Sequence, residues 1–390
     1  MPRVKVVHVI TRFILGGAQE NTLLTCEGLG RMPDYEVFLL TGPALGPEGE
    51  LLERAKAGPF KTIIIPSLRR DINPPDDTRA YFELARQIRR IAPEIVHTHS
   101  SKAGILGRFA AARTRVPAIV HTIHGLPFDE YQSRLRNRLY VFLETRAAAV
   151  SGKIISVCDA MSQQAVDAGV ARPDKFLTVY SGMETETFLD SDSLRAATRA
   201  ELGFSDGDVV IGKVARLFHM KGHDDVLRAA PAIIEKCPRA RFMFVGDGIL
   251  REELARKAAG MGIADRLTFT GLVDPSRIPA MISAMDILVH ASMREGLART
   301  VVQGLLCGKP VVTYDIGGAR EVVIPGRTGW LLKPGDVDGL AGATAEAASN
   351  PGTSGRMGAA GRELCRERFS ARKMVEDIHS CYRKLLAKPR

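Results

Sequence analysis

Glu295 is the residue whose surroundings say most about chemistry. It lies in the stretch 292–332, SMREGLARTVVQGLLCGKPVVTYDIGGAREVVIPGRTGWLL, and makes a tight turn with Gly296. A short amphipathic helix follows, Gly308 ends it, and KPVVTYD reads as a buried strand with a second glycine pair behind it. In an open parallel sheet, ligands bind where strand C-termini meet helix N-termini, so a carboxylate in that position can hold ligand hydroxyls. The first N–H groups of the helix, at 299–301, can hold phosphate oxygens.

Two cations are spaced to join this chemistry. Arg216 and Lys221, in IGKVARLFHMKGHDDVLRAA, fall in a loop between a strand and a helix that opens near Gly222. The spacing lets both converge on one diphosphate and stabilise charge developing on a leaving group. Near the start, Gly16 and Gly17 in VVHVITRFILGGAQENTLL allow a ligand close to the backbone at a helix opening. Turns at Gly246, in FVGDGILREEL, and at Gly271 and Leu272, in TFTGLVD, offer exposed backbone groups for a nucleobase. Neither GxGxxG nor GxxxxGK[ST] occurs, which argues against dinucleotide redox enzymes and P-loop nucleotidases.

Histidines cluster at two strand ends, His97 and His99 on one and His121 and His124 around the next. Alternate strand residues point to opposite faces, so His97 and His99 share a face that His121 and His124 do not share together. We expect no metal site, strand-end hydrogen bonds for the first three, and a ligand contact for His124 in its His-Gly-Leu-Pro-Phe turn. Asp129 and Glu130 follow that turn and are candidate acceptor contacts.

The elements that must position these residues are legible in the pattern. Short β-branched runs alternate with helical stretches: KVVHVIT, EVFLL, KTIIIP, EIVHTHS, AIVHTIH, KIISVCD and FLTVYSG, then VVIGKVAR, RFMFVGD, LTFTGLV, DILVHAS, PVVTYD and GWLLK. Such runs are buried parallel strands. With 390 residues, two cores are the natural division. The predicted fold is α/β, two Rossmann-like domains facing a cleft. The expected boundaries are 1–183 for the first domain, 184–208 for a linker without a strand, and 209–368 for the second domain. A last helix, 369–390, carries Phe369, Met374, Ile378, Tyr382 and Leu385 at helical spacing and is expected to pack on the first domain.

Composition bounds the setting. No apolar run is long enough to span a membrane and the chain enters a strand at once, so a cytoplasmic location is expected. The six cysteines show no CxxC pairing and suit reduced, buried thiols. Of the net charge of +10, the tail 351–390 holds a local excess, ten Lys and Arg against four Asp and Glu. This fits a solvated helix face, with attraction to an anionic membrane or a diphosphate-bearing acceptor as the alternative. Nucleic-acid binding is not expected, because no module or basic-aromatic interleaving occurs. The stretch 134–150, RLRNRLYVFLETRAAAV, reads as a core-packing helix, with a membrane-surface helix as the alternative.

Taken together, GKVARLFHMKGHDDVL, FVGDGILREEL, LTFTGLV, REGLARTVVQGLLCGKPVV and GGAREVVIPGRTGWLL resemble the retaining glycosyltransferases of GT-B fold, family 4 type, along nearly the whole chain. HTHSSKAGILGRFAA and PAIVHTIHGLPF resemble members that extend lipid-linked or surface polysaccharides. The resemblance implies that 1–183 binds the acceptor and 209–368 the nucleotide sugar, that Arg216 and Lys221 clamp the donor diphosphate, and that Glu295 bonds donor-sugar hydroxyls. It also implies that Gly296, Leu297, Ala298, Arg299 and Thr300 complete the phosphate and sugar site. Gly16 and Gly17 would face the diphosphate, His124 would lie beside the sugar, and the base would rest near Gly271 and Leu272. The second acid of the family's Glu-x7-Glu pattern is Gln303 here. An amide keeps one ribose contact but loses the charge-assisted bond, at about 1 kcal/mol.

The expected activity is transfer of a hexose or N-acetylhexosamine from a nucleoside diphosphate sugar, UDP foremost, to a glycan or lipid-linked hydroxyl. Configuration is retained, and neither cofactor nor metal takes part. Peripheral contact with the inner face of the cell membrane accompanies this reading. The alternatives are a sugar-nucleotide epimerase of the same fold and a non-catalytic sugar-nucleotide-binding homologue.

Overall fold

Each of those apolar runs forms a strand in the computed structural model, which describes residues 3–44 and 51–387. The first seven are β1 (Val4–Ile10), β2 (Tyr35–Thr41), β3 (Lys61–Ile64), β4 (Ile95–His99), β5 (Ala118–Ile123), β6 (Lys153–Ser156) and β7 (Phe176–Thr178). The rest are β8 (Val209–Val214), β9 (Ala240–Val245), β10 (Leu267–Gly271), β11 (Ile287–His290), β12 (Val311–Tyr314) and β13 (Gly329–Leu332). The pairings within the two sheets are parallel, and an α-helix crosses over between most successive strands.

The first sheet has the order β3-β2-β1-β4-β5-β6-β7 and the second β10-β9-β8-β11-β12-β13. Both reverse direction beside their first strand, at β1/β4 and at β8/β11. A crevice opens at such a switch point, beyond the strand C-termini. Two compact units result, 1–183 with 370–390, and 184–369.

Residues 184–208 contain no strand and belong to the second unit. Their helix Arg195–Glu201 is tied there by Arg195 and Arg199, which bridge to Asp286 at 2.5 and 3.2 Å. The last helix, Ala371–Leu386, belongs to the first unit and buries Met374, Val375, Ile378, Cys381 and Tyr382. Burial of such side chains contributes about 1.5–3 kcal/mol each. It approaches the helix Gly17–Gly30 so closely that a methyl at Gly28 would sit 2.5 Å from Val375. Phe369, expected on this last helix, instead caps the preceding one, Pro351–Arg368. Lys388 and Arg390 of the basic tail lie outside the described residues. All six cysteines are buried and free.

The helix Arg134–Ala149 corrects the core-packing expectation. Only Glu144, Ala147 and Ala148 are buried, whereas Leu135, Leu139 and Phe142 are 80%, 54% and 52% exposed. Glu144 anchors the helix through a 2.6 Å ion pair with the fully buried Arg108. Only its second half touches the core, and the apolar stripe of the first half faces solvent. Among the described residues, no helix is long and apolar enough to cross a membrane.

Candidate active site

The loops after β8 and β11 flank the second unit's switch point, and each delivers one charged group. Lys221 Nζ donates to Glu295 Oε1 at 2.6 Å, and both side chains are about one-quarter exposed. Backbone close approach fixes the two loops. Gly222 has φ +69°, and a Cβ there would lie 1.8 Å from the Ala291 carbonyl oxygen, while Met293 N–H donates to Met220 O at 2.8 Å. On the other side, Gly318 N–H donates to Gly296 O at 2.6 Å, and Gly317 at φ +53° leaves no room for a side chain beside it. A glycine is required at both positive-φ positions.

His290, at the end of β11, extends the cluster. Its Nε2 lies 3.7 Å from Glu295 Oε1 and its Nδ1 lies 3.3 Å from Thr300 Oγ1. Burial alone would raise the Glu295 carboxyl, but the His290 ring and the Lys221 ammonium outweigh it and hold it at about 2. The group is therefore a carboxylate at any physiological pH. A pocket beside it is lined by Ser292, Leu297, Ala298, Thr313 and Tyr314.

The helix Arg299–Leu306 starts at Ala298 with no side-chain cap and no acid in its first turn, so its leading N–H groups suit anionic ligand oxygens. Gln303 is half-buried one turn after Arg299, on the same face.

The two basic residues of the β8 loop have different partners in this structure. Lys221 is held by Glu295, while the exposed Arg216 guanidinium lies over the Phe218 ring at 5.1 Å. The helix behind them, His223–Lys236, carries Asp224 and Asp225 in its first turn. Asp224 pairs with Lys257 at 2.5 Å and Asp225 accepts from the Tyr314 hydroxyl at 2.9 Å. Gly246 is set by packing: at φ +133°, a Cβ would lie 2.3 Å from Ala215 O, and its N–H donates to Gly271 O at 3.1 Å. Leu272, next to Gly271, is 76% exposed.

In the first unit, Gly16 precedes the helix Gly17–Gly30 in extended conformation, and its carbonyl accepts the Glu20 N–H at 2.9 Å. A side chain at 16 would meet only the flexible Gln19 amide, so packing does not demand glycine there. His124 lines a pocket of about 260 Å³ with Ser100, Ser101, Leu126 and Glu144. Asp129 is engaged within its own turn, where its carboxylate accepts from Tyr131 N–H and Gln132 Nε2, both at 2.8 Å. Glu130 is exposed.

Three groups of the second unit went unread in the sequence: His290, Lys213 and His223. Lys213 is fully buried in β8, and its Nζ has no hydrogen-bond partner among the described residues; the same holds for both ring nitrogens of His223. The only signal was a lysine inside an otherwise apolar strand.

Burial, reinforced by Lys221, lowers Lys213 from 10.5 to about 7. The unfolded chain then binds more protons between pH 7 and 10.5, so stability rises with pH across that window. Lys213→Met is expected to stabilise the fold by about 1–4 kcal/mol at pH 7, with the gain shrinking toward pH 10. Urea melts at pH 7 and 10 check this; a loss of stability, or a gain indifferent to pH, contradicts it.

The glycosyl transferases group 1 family matches residues 195–364, and the glycosyl transferase 4-like domain matches residues 16–182. A D-inositol 3-phosphate glycosyltransferase of Acidothermus cellulolyticus is 30% identical over 313 residues, 76% of this chain and 68% of that protein. A UDP-Gal:alpha-D-GlcNAc-diphosphoundecaprenol alpha-1,3-galactosyltransferase of Escherichia coli is 28% identical over 339 residues, 86% of each chain. In fold, the chain resembles Anabaena Alr3699/HepE, crystallised with UDP, at a TM-score of 0.81 and 23% identity, covering 97% of this chain and all of the other.

Proposed function

This chain belongs to the group 1 glycosyltransferases of GT-B fold, and on that premise we propose that it is a retaining transferase using a UDP-sugar. The donor would carry a hexose or N-acetylhexosamine, and the acceptor would be a hydroxyl of a lipid-linked or polysaccharide glycan. The observation that carries this is the Lys221–Glu295 pair at 2.6 Å, set between two loops at the switch point of the second sheet. A cation and a carboxylate there match the two ends of a sugar diphosphate. UDP bound to the Anabaena protein and the galactosyl donor of the Escherichia coli enzyme favour UDP.

In this reading Lys221 leaves Glu295 for the diphosphate, joined by Arg216 and the first N–H groups of the helix Arg299–Leu306. Glu295, kept ionised by His290, then accepts from donor-sugar hydroxyls. The bond from the anomeric carbon to the phosphate oxygen breaks, and the acceptor oxygen bonds to that carbon on the same face. The acceptor proton passes to the leaving phosphate. Positive charge from Arg216 and Lys221 stabilises that phosphate, so we assign no metal to the step. Gly16 and Gly17 are assigned to the diphosphate, His124 to the sugar, Gly271 and Leu272 to the base, and Gln303 to the ribose.

The test is transfer from UDP-sugars to lipid-linked glycans, with the product's anomeric proton coupling read by NMR. An α-linked product from an α-donor is expected; a β-linkage overturns retention. Gln303 favours one second reading, a homologue that binds sugar nucleotides without turnover. Slow donor hydrolysis without acceptor excludes it.

We place the protein at an anionic membrane surface on the cytoplasmic side, through the helix Arg134–Ala149. Leu135, Leu139 and Phe142 share one face, and the exposed Arg134, Arg136, Arg138 and Arg146 accompany them. Leu135→Asp with Leu139→Asp is expected to reduce sedimentation with phosphatidylglycerol vesicles at least about tenfold without changing Tm, given apolar burial and charge attraction acting together. Equal vesicle binding by variant and parent contradicts this placement.

A further inference from the structure

The first unit buries a set of histidines whose ring nitrogens join end to end. His99 Nδ1 lies 3.1 Å from His124 Nε2, and His99 Nε2 lies 3.0 Å from His8 Nδ1. His8 Nε2 lies 3.5 Å from the Tyr382 hydroxyl. That hydroxyl is also 2.6 Å from His97 Nδ1, and His97 Nε2 is 2.7 Å from Thr122 Oγ1. His8, His97, His99 and Tyr382 are at 0% exposure. Burial holds His8 down at about 3 and lowers His97 and His99 well below the ordinary imidazole value.

Neutral imidazoles have one donor and one acceptor each, so such a chain has only two self-consistent polarities. One junction decides between them. A phenol, far more acidic than an alcohol, is the better donor, and the 2.6 Å contact to His97 is the short one of its two. Tyr382 O–H therefore donates to His97 Nδ1, and His97 Nε2–H donates to Thr122. The 3.5 Å contact is then His8 Nε2–H donating to the phenol oxygen. His8 Nδ1 accepts from His99 Nε2–H, and His99 Nδ1 accepts from His124 Nε2–H.

We propose that this chain fixes His124 as the tautomer protonated on Nε2, with His99, His8 and Tyr382 as positioning residues. That His124 meets the donor sugar rests on the function proposed above; the tautomer does not. Ligand atoms of His8, His97 and His99 also lie within 4.8 Å of one another, the spacing of a metal triad. Both nitrogens of His97 and of His99 are already engaged in the contacts above, which is the geometry of a hydrogen-bond chain.

The experiment is long-range proton–nitrogen NMR of the full chain with ¹⁵N-histidine, without any sugar nucleotide, and with His124→Gln to assign the His124 signals by their loss. We expect a protonated Nε2 and a bare Nδ1 for His124, and in Tyr382→Phe a change to mixed tautomers, at least a tenfold fall in the preference. A wild-type His124 protonated on Nδ1 or mixed, or an unchanged preference in folded Tyr382→Phe, overturns the proposal. If Tyr382→Phe fails to fold, the wild-type tautomer still decides. One equivalent of bound divalent metal by elemental analysis, with His8, His97 and His99 as its ligands, overturns it too. Since no donor is present, failure of the transferase reading leaves this result intact.

Discussion

Lys221→Ala is expected to lower kcat/KM for sugar transfer by about 10²–10³-fold, the usual effect of removing one preorganised group that meets charge developing in a transition state. The loss has two parts. The leaving diphosphate forfeits one of its two assigned cations, and in the donor-free protein Glu295 forfeits the 2.6 Å partner that orders it. His290 at 3.7 Å then remains beside the carboxylate, so its value rises from about 2 while staying within the acidic range. The loss therefore comes from the missing cation at the diphosphate, in donor binding as well as in the transition state, and not from the ionisation of Glu295. Lys221→Arg restores charge but not the compact ammonium and is expected to recover only part of the rate. Steady-state kinetics with saturating acceptor check this; an alanine variant with unchanged turnover removes Lys221 from the mechanism.

Acid instability is the second large effect. His8, His97, His99, His121, His223 and His290 all have values lowered by burial, His8 to about 3 and His223 to about 2, against an ordinary 6.5. Below 6.5 the unfolded chain binds protons that the folded chain refuses, so stability falls with falling pH in the window from 6.5 toward 3. Each such histidine costs about 1.4 kcal/mol per pH unit, and six together exhaust a typical stability of 5–15 kcal/mol within one or two units. We expect cooperative unfolding between about pH 5 and 6, measured by circular dichroism with proton uptake on unfolding. A fold still at full stability at pH 4.5 contradicts the buried neutral state of these rings.

The strands were legible because parallel strands buried on both faces are written as unbroken β-branched runs, and VVIGKVAR, DILVHAS and PVVTYD read as such despite the lysine and histidine inside two of them. Those same polar residues are what the pattern hid. An apolar run marks a strand without saying that Lys213 is buried with no hydrogen-bond partner for its ammonium among the described residues, or that His290 lies beside Glu295. Glu295 and Lys221 were each readable from their loops, but their contact spans 74 residues and depends on which strands neighbour each other.

The histidine chain was illegible for a stronger version of the same reason. It needs the register that sets His8 opposite His97, and a tyrosine 285 residues further along the chain. Helical spacing in 134–150 fixed a stripe of Leu135, Leu139 and Phe142 but not what lies against it. Gly246, read as a ligand turn, also has a packing reason to be glycine in the Ala215 carbonyl oxygen.

Whether the second unit binds a sugar nucleotide is decided by thermal unfolding against a panel of UDP-, GDP- and ADP-sugars, with the bare nucleotides alongside. A ligand bound only by the folded state stabilises it by about 2.7 kcal/mol at one hundred times its Kd. Tm is expected to rise with UDP and with one UDP-sugar, and the rise to be lost in Lys221→Ala. No shift with any nucleotide would contradict a working donor site, and would leave Gln303 as the mark of a site that has lost its ligand.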